Sequence, residues 1–411
     1  MLLQNSKNLI PRLLLVTNIP SHHQMPLAQA LYNLLHDSFR VAFLSPVSGE
    51  RITIGWNDAG VDTPWVLRVW ESTQSANEFM NWMNEADVVV NGFWDYGMLR
   101  RRLTQGKLCM MESERIWKPS NPLWGLPPRK MNSDSLPINF IRCYYHKIRT
   151  ILKNHAVNSK HCHYLAIGAY AARDQSRIGM FNRRMWTFGY FVPVPKNAPT
   201  PRDPSCMRIL WAGRMINLKS VDVLLKAIRS ITTGKRSVLV TLIGDGPELP
   251  RLKNLVVELD INDKVRFLPV MDPMGVRSEM QRSDVYVLPS TYEEGWGAVL
   301  NEAMSEGCVV IASEGVGAAP VLIHHGWNGF IFPVGDPVAL AKHLEWAMLN
   351  PSEASAMGFR AWEYVRNFWS PETAASRLIA LIDGLLGKTS MPFFTDGPCS
   401  PAKIMRPARG N

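Results

Sequence analysis

The apolar positions of this chain gather into short runs separated by helix-length segments, and one rhythm repeats across most of its length. RLLLV at 12–16, VAFL at 41–44, DVVVN at 87–91 and YLAIG at 164–168 are continuous apolar stretches, as expected of strands buried on both faces. After the first of them, Pro26 opens a segment in which Leu27, Ala30, Leu31, Leu34 and Leu35 recur at helical spacing, predicting a helix with one buried face. Beyond residue 207 the runs RILWAG, VLVTLIG, KVRFLPV, DVYVLPS and CVVIAS repeat the pattern. Strands alternating with helices predict an α/β chain with two parallel-sheet domains.

Between the two series lie Pro193, Pro195, Pro199, Pro201 and Pro204. Proline at this density blocks both helix and sheet, so 193–206 reads as a linker between an N-terminal domain over 1–192 and a C-terminal domain over 207–370. PETAASRLIALIDGLL then predicts a helix within 371–388, and 389–411, rich in proline and without an apolar period, reads as a disordered tail. Ile138, Ile141, Tyr145, Ile148 and Leu152 form one helical stripe flanked by Arg142, Lys147, Arg149 and Lys153. Core packing and contact with an anionic membrane surface both fit that stripe.

The chain's 411 residues are 46% hydrophobic and 19% charged, which excludes disorder and coiled coil and leaves room for two cores. No apolar run approaches the length of a membrane-spanning helix, and MLLQNSKNLIPRLLLV is broken by Asn, Lys, Pro and Arg, so a cytoplasmic chain is expected. The net charge of +10 is carried by residues 1–200, with 23 basic against 13 acidic side chains, while 201–411 hold 22 of each. The first half is therefore either a basic solvated surface or a face for an anionic partner. Nucleic acid is not expected, because zinc-finger spacing and the aromatic signatures of single-strand binders are missing. Six scattered cysteines read as reduced thiols. In His161-Cys162-His163 an extended backbone would point the thiol away from both imidazoles, so no metal site is expected.

Three segments carry candidate chemistry. In ILWAGRMINLKSVDVLLKAI, Arg214 and Lys219 follow a strand end, where open α/β sheets take their ligands, and together suit a diphosphate; two solvated turn residues are the alternative. In VTLIGDGPELPRL, Gly244 and Gly246 permit close approach of backbone to a ligand, Pro247 suits a helix start, and Leu249 replaces the third glycine of a dinucleotide fingerprint. In the segment from Asp284 to Phe332, Glu294 and Glu302 have seven residues between them, and Gly297, Ala298 and Val299 would present free amides at a helix start. Structural pairing of the two carboxylates with Lys or Arg is the competing reading.

Taken together, Arg214 and Lys219 after a strand, the GDGP turn and the E-x7-E spacing of Glu294 and Glu302 resemble the donor-binding domain of family 4 glycosyltransferases of the GT-B type. The resemblance covers nearly all of 207–370. It implies two Rossmann-like domains facing a central cleft, a nucleoside diphosphate sugar as donor, and transfer with retention of anomeric configuration without a metal or other cofactor. Arg214 and Lys219 would then neutralise the departing diphosphate, Glu294 bind hydroxyls of the transferred sugar, Glu302 the ribose, and the amides of Gly297, Ala298 and Val299 the distal phosphate. Gly244 and Gly246 would lie by the nucleotide, and the last helix would cross back to the first domain.

The N-terminal half resembles the family less. SHHQMP from Ser21 and LAIGAYAARD at 165–174 are similar to a subset acting in bacterial surface polysaccharide assembly, which implies that His22 and His23 line the acceptor side or touch the phosphates; a capping or packing role for one of them is the equal alternative. Where many relatives carry a His after a strand, VVNGFWDYG offers Asn91, Trp94 or Asp95, with Trp94 a sugar platform or a core residue. After GVG the family's usual Glu is Val321. The expected activity is hexosyl or related transfer to a glycan or lipid-diphosphate-linked oligosaccharide in surface polysaccharide biosynthesis, with a possible peripheral contact of the basic half with the anionic inner membrane face. A protein that binds nucleotide sugar without transferring it is the rival.

Overall fold

A computed structural model describes residues 10–47, 49, 63–92, 97–116, 158–200, 202–203, 205–231 and 236–406. The expected basic helix at 138–152, together with Trp94, Asp95, Pro201 and Pro204, lies outside the described residues. The chain divides into two compact units, the first ending at Gly189 and resuming with Pro371–Arg406, the second holding Tyr190–Ser370.

In the first unit the strands are β1 (Leu13–Thr17), β2 (Phe39–Phe43), β3 (Val66–Arg68), β4 (Val88–Asn91), β5 (Leu108–Ser113), β6 (Cys162–Ile167) and β7 (Met185–Phe188). Its helices before the linker are α1 (Met25–Leu35), α2 (Thr73–Glu85), α3 (Gly97–Thr104) and α4 (Ala171–Arg177). Spatial order is β3-β2-β1-β4-β5-β6-β7, with each neighbouring pair parallel. Every residue of β1, β4 and β6 is buried, as a sheet covered on both faces requires. Strands β3, β5 and β7 escaped the apolar-run reading: β3 has only three residues, and β5 (LCMMES) and β7 (MWTF) mix methionine with polar positions. In α1 the stripe also departs from expectation, with Leu34 exposed and Ala28 buried.

In the second unit β8 (Cys206–Ala212), β9 (Ser237–Ile243), β10 (Val265–Leu268), β11 (Val285–Leu288), β12 (Val309–Ser313) and β13 (Gly329–Phe332) lie in the order β10-β9-β8-β11-β12-β13, again all parallel. The helices are α5 (Val221–Ser230), α6 (Leu249–Glu258), α7 (Pro273–Gln281), α8 (Val299–Ser305), α9 (Ala319–Leu322), α10 (Pro337–Leu349) and α11 (Pro351–Phe368). Local chemistry sets their starts. Asp272 accepts from the Gly275 N–H at 2.8 Å to cap α7, and Asp336 accepts from Val338 and Ala339 to cap α10, each followed by proline in the first turn. Helix α6 begins with Pro250 in its first turn, so Pro247 belongs to the preceding loop rather than to the helix start assigned to it from sequence. Both units are thus Rossmann-like, and in each the winding reverses between its first and fourth strands, at β1/β4 and at β8/β11.

The proline-rich run is laid along the second unit: Trp362 Nε1 donates to Pro195 O at 3.1 Å, and Arg277 to Pro193 O at 2.9 Å. Helix α12 (Pro371–Leu385) belongs to the first unit, where it packs along α1 and buries Ala374, Ala375, Leu378, Leu381 and Ile382. The expectation of a disordered tail is corrected over 389–406. Cys399 N–H donates to Thr187 O and Thr187 N–H to Ser400 O, both at 2.8 Å, and Ala402 N–H donates to Met185 O, so the tail covers the outer edge of β7. Arg377 of α12 donates to Asp396 O and lies over the Phe394 ring. Pairing of this kind uses backbone groups, and so leaves no apolar period in the sequence.

Candidate active site

The loops after β8, β9, β11 and β12 meet at the carboxyl end of the second sheet, around its switch point. Gly213 N–H donates to Ile243 O at 3.0 Å, Met215 N–H to Asp245 O at 2.7 Å and Glu248 N–H to Met215 O at 3.0 Å, which zips the Arg214 loop to the GDGP loop. Glycine is required there: a Cβ at Gly244 would lie 2.0 Å from Gly213 O, and one at Gly246 would lie 2.4 Å from Met215 O. Gly244 also has φ 132°. The two glycines therefore serve loop-against-loop packing first, and hold the Arg214 loop in place.

The β11 loop joins the same assembly through Thr291 N–H, which donates to Leu218 O at 2.8 Å. Its other side is held by the GVG turn, where Gly317 N–H donates to Glu294 O and Ala318 N–H to Trp296 O. A Cβ at Gly317 would stand 1.8 Å from Gly295 O. Trp296 anchors the loop in the core: it is fully buried, its Nε1 donates to Asn301 Oδ1 at 2.9 Å, and Asn301 donates to Tyr190 O. Tyr286 on β11 ties the sheet to the first loop, donating to Ala212 O at 3.1 Å and accepting from Ala212 N–H. Burial pushes the Tyr286 phenol well above its ordinary value, and the nearby charges of Glu302 and Glu294 push in the same direction.

On this frame Lys219 Nζ and Glu294 form a close ion pair, both largely shielded from solvent. Arg214 is exposed on the same loop as Lys219. Glu302 lies in the first turn of α8, and Leu300 N–H donates to Gly297 O at 2.9 Å, so the N–H groups of Gly297, Ala298 and Val299 precede the first intrahelical bond. The second unit thus brings Arg214, Lys219, Gly244, Gly246, Glu294, Gly297, Ala298, Val299 and Glu302 to one end of one sheet. Chemically it presents an exposed Arg214, the Lys219–Glu294 pair, the amides that open α8 and Glu302 at one sheet end. Val321 sits in the short helix α9 just past the GVG turn.

In the first unit, His22 and His23 follow β1 with ring centroids 3.8 Å apart. Ser21 and Gln24 close their turn: Ser21 O accepts from Gln24 N–H at 2.9 Å, and Thr17 donates to Gln24 Oε1 at 2.7 Å. Asn91 is buried at the end of β4, with Nδ2 directed to Met111 Sδ. Cys162 faces one core, while His163 on the opposite face of β6 accepts from Trp186 Nε1 at 3.2 Å, and burial lowers its imidazole to about 4. Sequence reasoning passed over Tyr286, Trp296 and Asn301, whose residue types read as ordinary core or helix positions, and Glu112 near the end of β5. Burial raises the Glu112 carboxyl to about 7. Among the described residues no helix is long and apolar enough to cross a membrane.

Known proteins resemble this arrangement most in the second unit. Residues 201–363 match the family described as glycosyl transferases group 1. The D-inositol 3-phosphate glycosyltransferase of Saccharomonospora viridis is 34% identical over 177 residues, 41% of this chain and 41% of that protein. The N-acetyl-alpha-D-glucosaminyl L-malate synthase of Bacillus anthracis is 34% identical over 160 residues, 39% of this chain and 41% of that protein. The match therefore spans about two fifths of the length of these relatives. Among solved structures, Anabaena HepE in complex with UDP superposes with a TM-score of 0.62 at 15% identity, covering 89% of this chain and 98% of that one. The lipopolysaccharide outer core galactosyltransferase WaaB, in its apo form, gives 0.60 at 15% identity over 86% of this chain and 98% of that one. At such identity the likeness is one of fold, the two-domain α/β fold of GT-B glycosyltransferases.

Two outcomes are expected. Gly244→Ala should destabilise the second unit by about 2–5 kcal/mol, from overpacking and a strained φ, in urea unfolding. Glu112 binds its proton more tightly folded, at about 7, than at its ordinary 4.5. Stability of the first unit should accordingly fall by on the order of 3 kcal/mol as pH rises through that window and level off above it. Thermal unfolding of Glu112→Gln across the same range should lack this component.

Proposed function

We propose that the chain is a retaining glycosyltransferase that moves a sugar from a nucleoside diphosphate donor to a glycan or lipid-diphosphate-linked acceptor in surface polysaccharide assembly. The observation that carries this reading is the Lys219–Glu294 pair at the β8/β11 switch point, flanked by Arg214 and the amides that open α8. Support comes also from the glycosyl transferases group 1 match over the same residues and from fold neighbours, among them HepE in complex with UDP and with UDP-glucose.

In this reading the diphosphate enters where Lys219 meets Glu294, and Lys219 exchanges its carboxylate partner for a phosphate oxygen. Glu294 is then released to accept hydrogen bonds from hydroxyls of the sugar, while Glu302 takes the ribose hydroxyls. Arg214 and Lys219 stabilise the negative charge that grows on the leaving diphosphate, the charge neutralisation that a metal would otherwise supply. The bond from the anomeric carbon to the phosphate oxygen breaks, the acceptor oxygen attaches on the same face, and its proton passes to the departing phosphate oxygen. Retention without a covalent protein intermediate needs no carboxylate nucleophile. His22 and His23, in the basic first half, belong to the acceptor side of this proposal, and the same basic half would make any peripheral contact with an anionic membrane.

Calorimetric titration with UDP, GDP and ADP and their sugars should find one base bound by the native chain, with affinity at least tenfold weaker in Glu302→Ala. Binding to none of them would remove the donor reading. With donor and acceptor in hand, proton NMR of the product should show the donor's anomeric configuration; an inverted linkage would overturn retention, and binding without turnover would favour a nucleotide-sugar-binding protein.

A further inference from the structure

The second sheet is split at the carboxyl end of its switch point. Strand β8 stays paired with β9 to its end, Trp211 with Leu242 and Ala212 with Ile243, and β11 stays paired with β12, Val287 with Ile311 and Leu288 with Ala312. Between themselves β8 and β11 pair only at Ile209 with Val285 and at Leu210 with Tyr286. Both strands therefore run on beyond their last shared pair, each held on its outer side and open toward the other. The opening leads to the loop of Arg214 and Lys219 on one side and to the loop of Glu294 on the other.

A parallel strand turns alternate backbone groups to alternate neighbours. Gly213 N–H goes to β9, where it donates to Ile243 O, so the N–H and C=O of Ala212 face β11 across the opening. The Tyr286 hydroxyl takes both, accepting from Ala212 N–H at 3.3 Å and donating to Ala212 O at 3.1 Å. A side chain thus stands where ladder bonds would otherwise draw the strand ends together. Tyr286 and Ala212 are both buried, and the phenol lies close enough to Glu294 and Glu302 for both charges to act on it. Packing alone does not call for the hydroxyl, because phenylalanine would fill the same volume and continued strand pairing would satisfy Ala212.

We propose that Tyr286 is a positioning residue for the diphosphate of the donor: its hydroxyl holds the strand ends apart and so sets Ala212, and the Arg214 loop that follows it, beside the opening in which the diphosphate binds. The identity of the ligand rests on the glycosyltransferase reading; the split of the sheet does not. Tyr286→Phe keeps the ring but leaves two buried backbone groups unpaired, which shifts the strand end and its loop. Calorimetry with UDP, GDP and ADP identifies the diphosphate that the native chain binds, and ligand-observed NMR follows the corresponding nucleoside. In Tyr286→Phe that diphosphate should bind about fivefold more weakly or worse, while the nucleoside stays within about twofold of its native affinity. Ile261→Ala, a truncation of a fully buried side chain between α6 and β10, at the opposite end of the sheet, should leave both affinities unchanged at a temperature where each variant is folded. Unchanged diphosphate affinity in Tyr286→Phe, equal losses for nucleoside and diphosphate, or a loss as large in Ile261→Ala would each overturn the role of Tyr286 and leave the donor reading intact. Binding of no nucleoside diphosphate by the native chain would instead defeat the donor reading and, with it, the role assigned to Tyr286.

Discussion

The contact on which the second unit's candidate site depends is the approach of backbone to backbone at the carboxyl end of its sheet. Gly244 and Gly246 lie against the carbonyls of Gly213 and Met215, and Gly317 lies against that of Gly295, all closer than any Cβ would allow. These contacts lock four loops into one assembly, and the ion pair of Lys219 with Glu294 is held by that assembly from both sides. In the proposed reading, rigid loops matter because charges set in place before a diphosphate arrives stabilise it with little reorganisation. The parallel sheet beneath contributes the direction: every strand delivers its following loop to the same end.

Much of this was legible in the sequence. Short, wholly apolar runs such as DVVVN and CVVIAS identify buried parallel strands because both faces of such a sheet are covered. The glycines, the two cations and the spaced glutamates likewise stand out as residue types, and they do converge on one sheet end. What sequence patterning does not carry is partnership. Pairing of Glu294 with a Lys or Arg is one of the two readings its sequence allows, and the fold realises it, but that Lys219 is the partner only the fold brings about. Tyr286 in DVYVLPS reads as one more core aromatic, although its hydroxyl binds both backbone groups of Ala212.

The tail and Glu112 were misread or missed for related reasons. Residues 397–402 gain their order from backbone pairing with β7, a contact that imposes no side-chain period. Glu112 sits in LCMMES, where the carboxylate looks like a solvated end of a strand; its burial follows from the neighbouring strands and the absent side chain of Gly92. Polar groups buried at strand ends are thus the part of a parallel-sheet protein that hydrophobic patterning describes least, and they are also where ligand chemistry resides.

The central claim is that Glu294 holds Lys219 in reserve for a diphosphate. Its most direct test is a double-mutant cycle on UDP affinity, measured by calorimetry in low salt, with Lys219→Met, Glu294→Gln and both changes together. The account predicts that Lys219→Met weakens UDP at least tenfold, that Glu294→Gln leaves it equal or tighter because the competing carboxylate is gone, and that the double variant resembles Lys219→Met. Loss of affinity in Glu294→Gln as large as in Lys219→Met would contradict it.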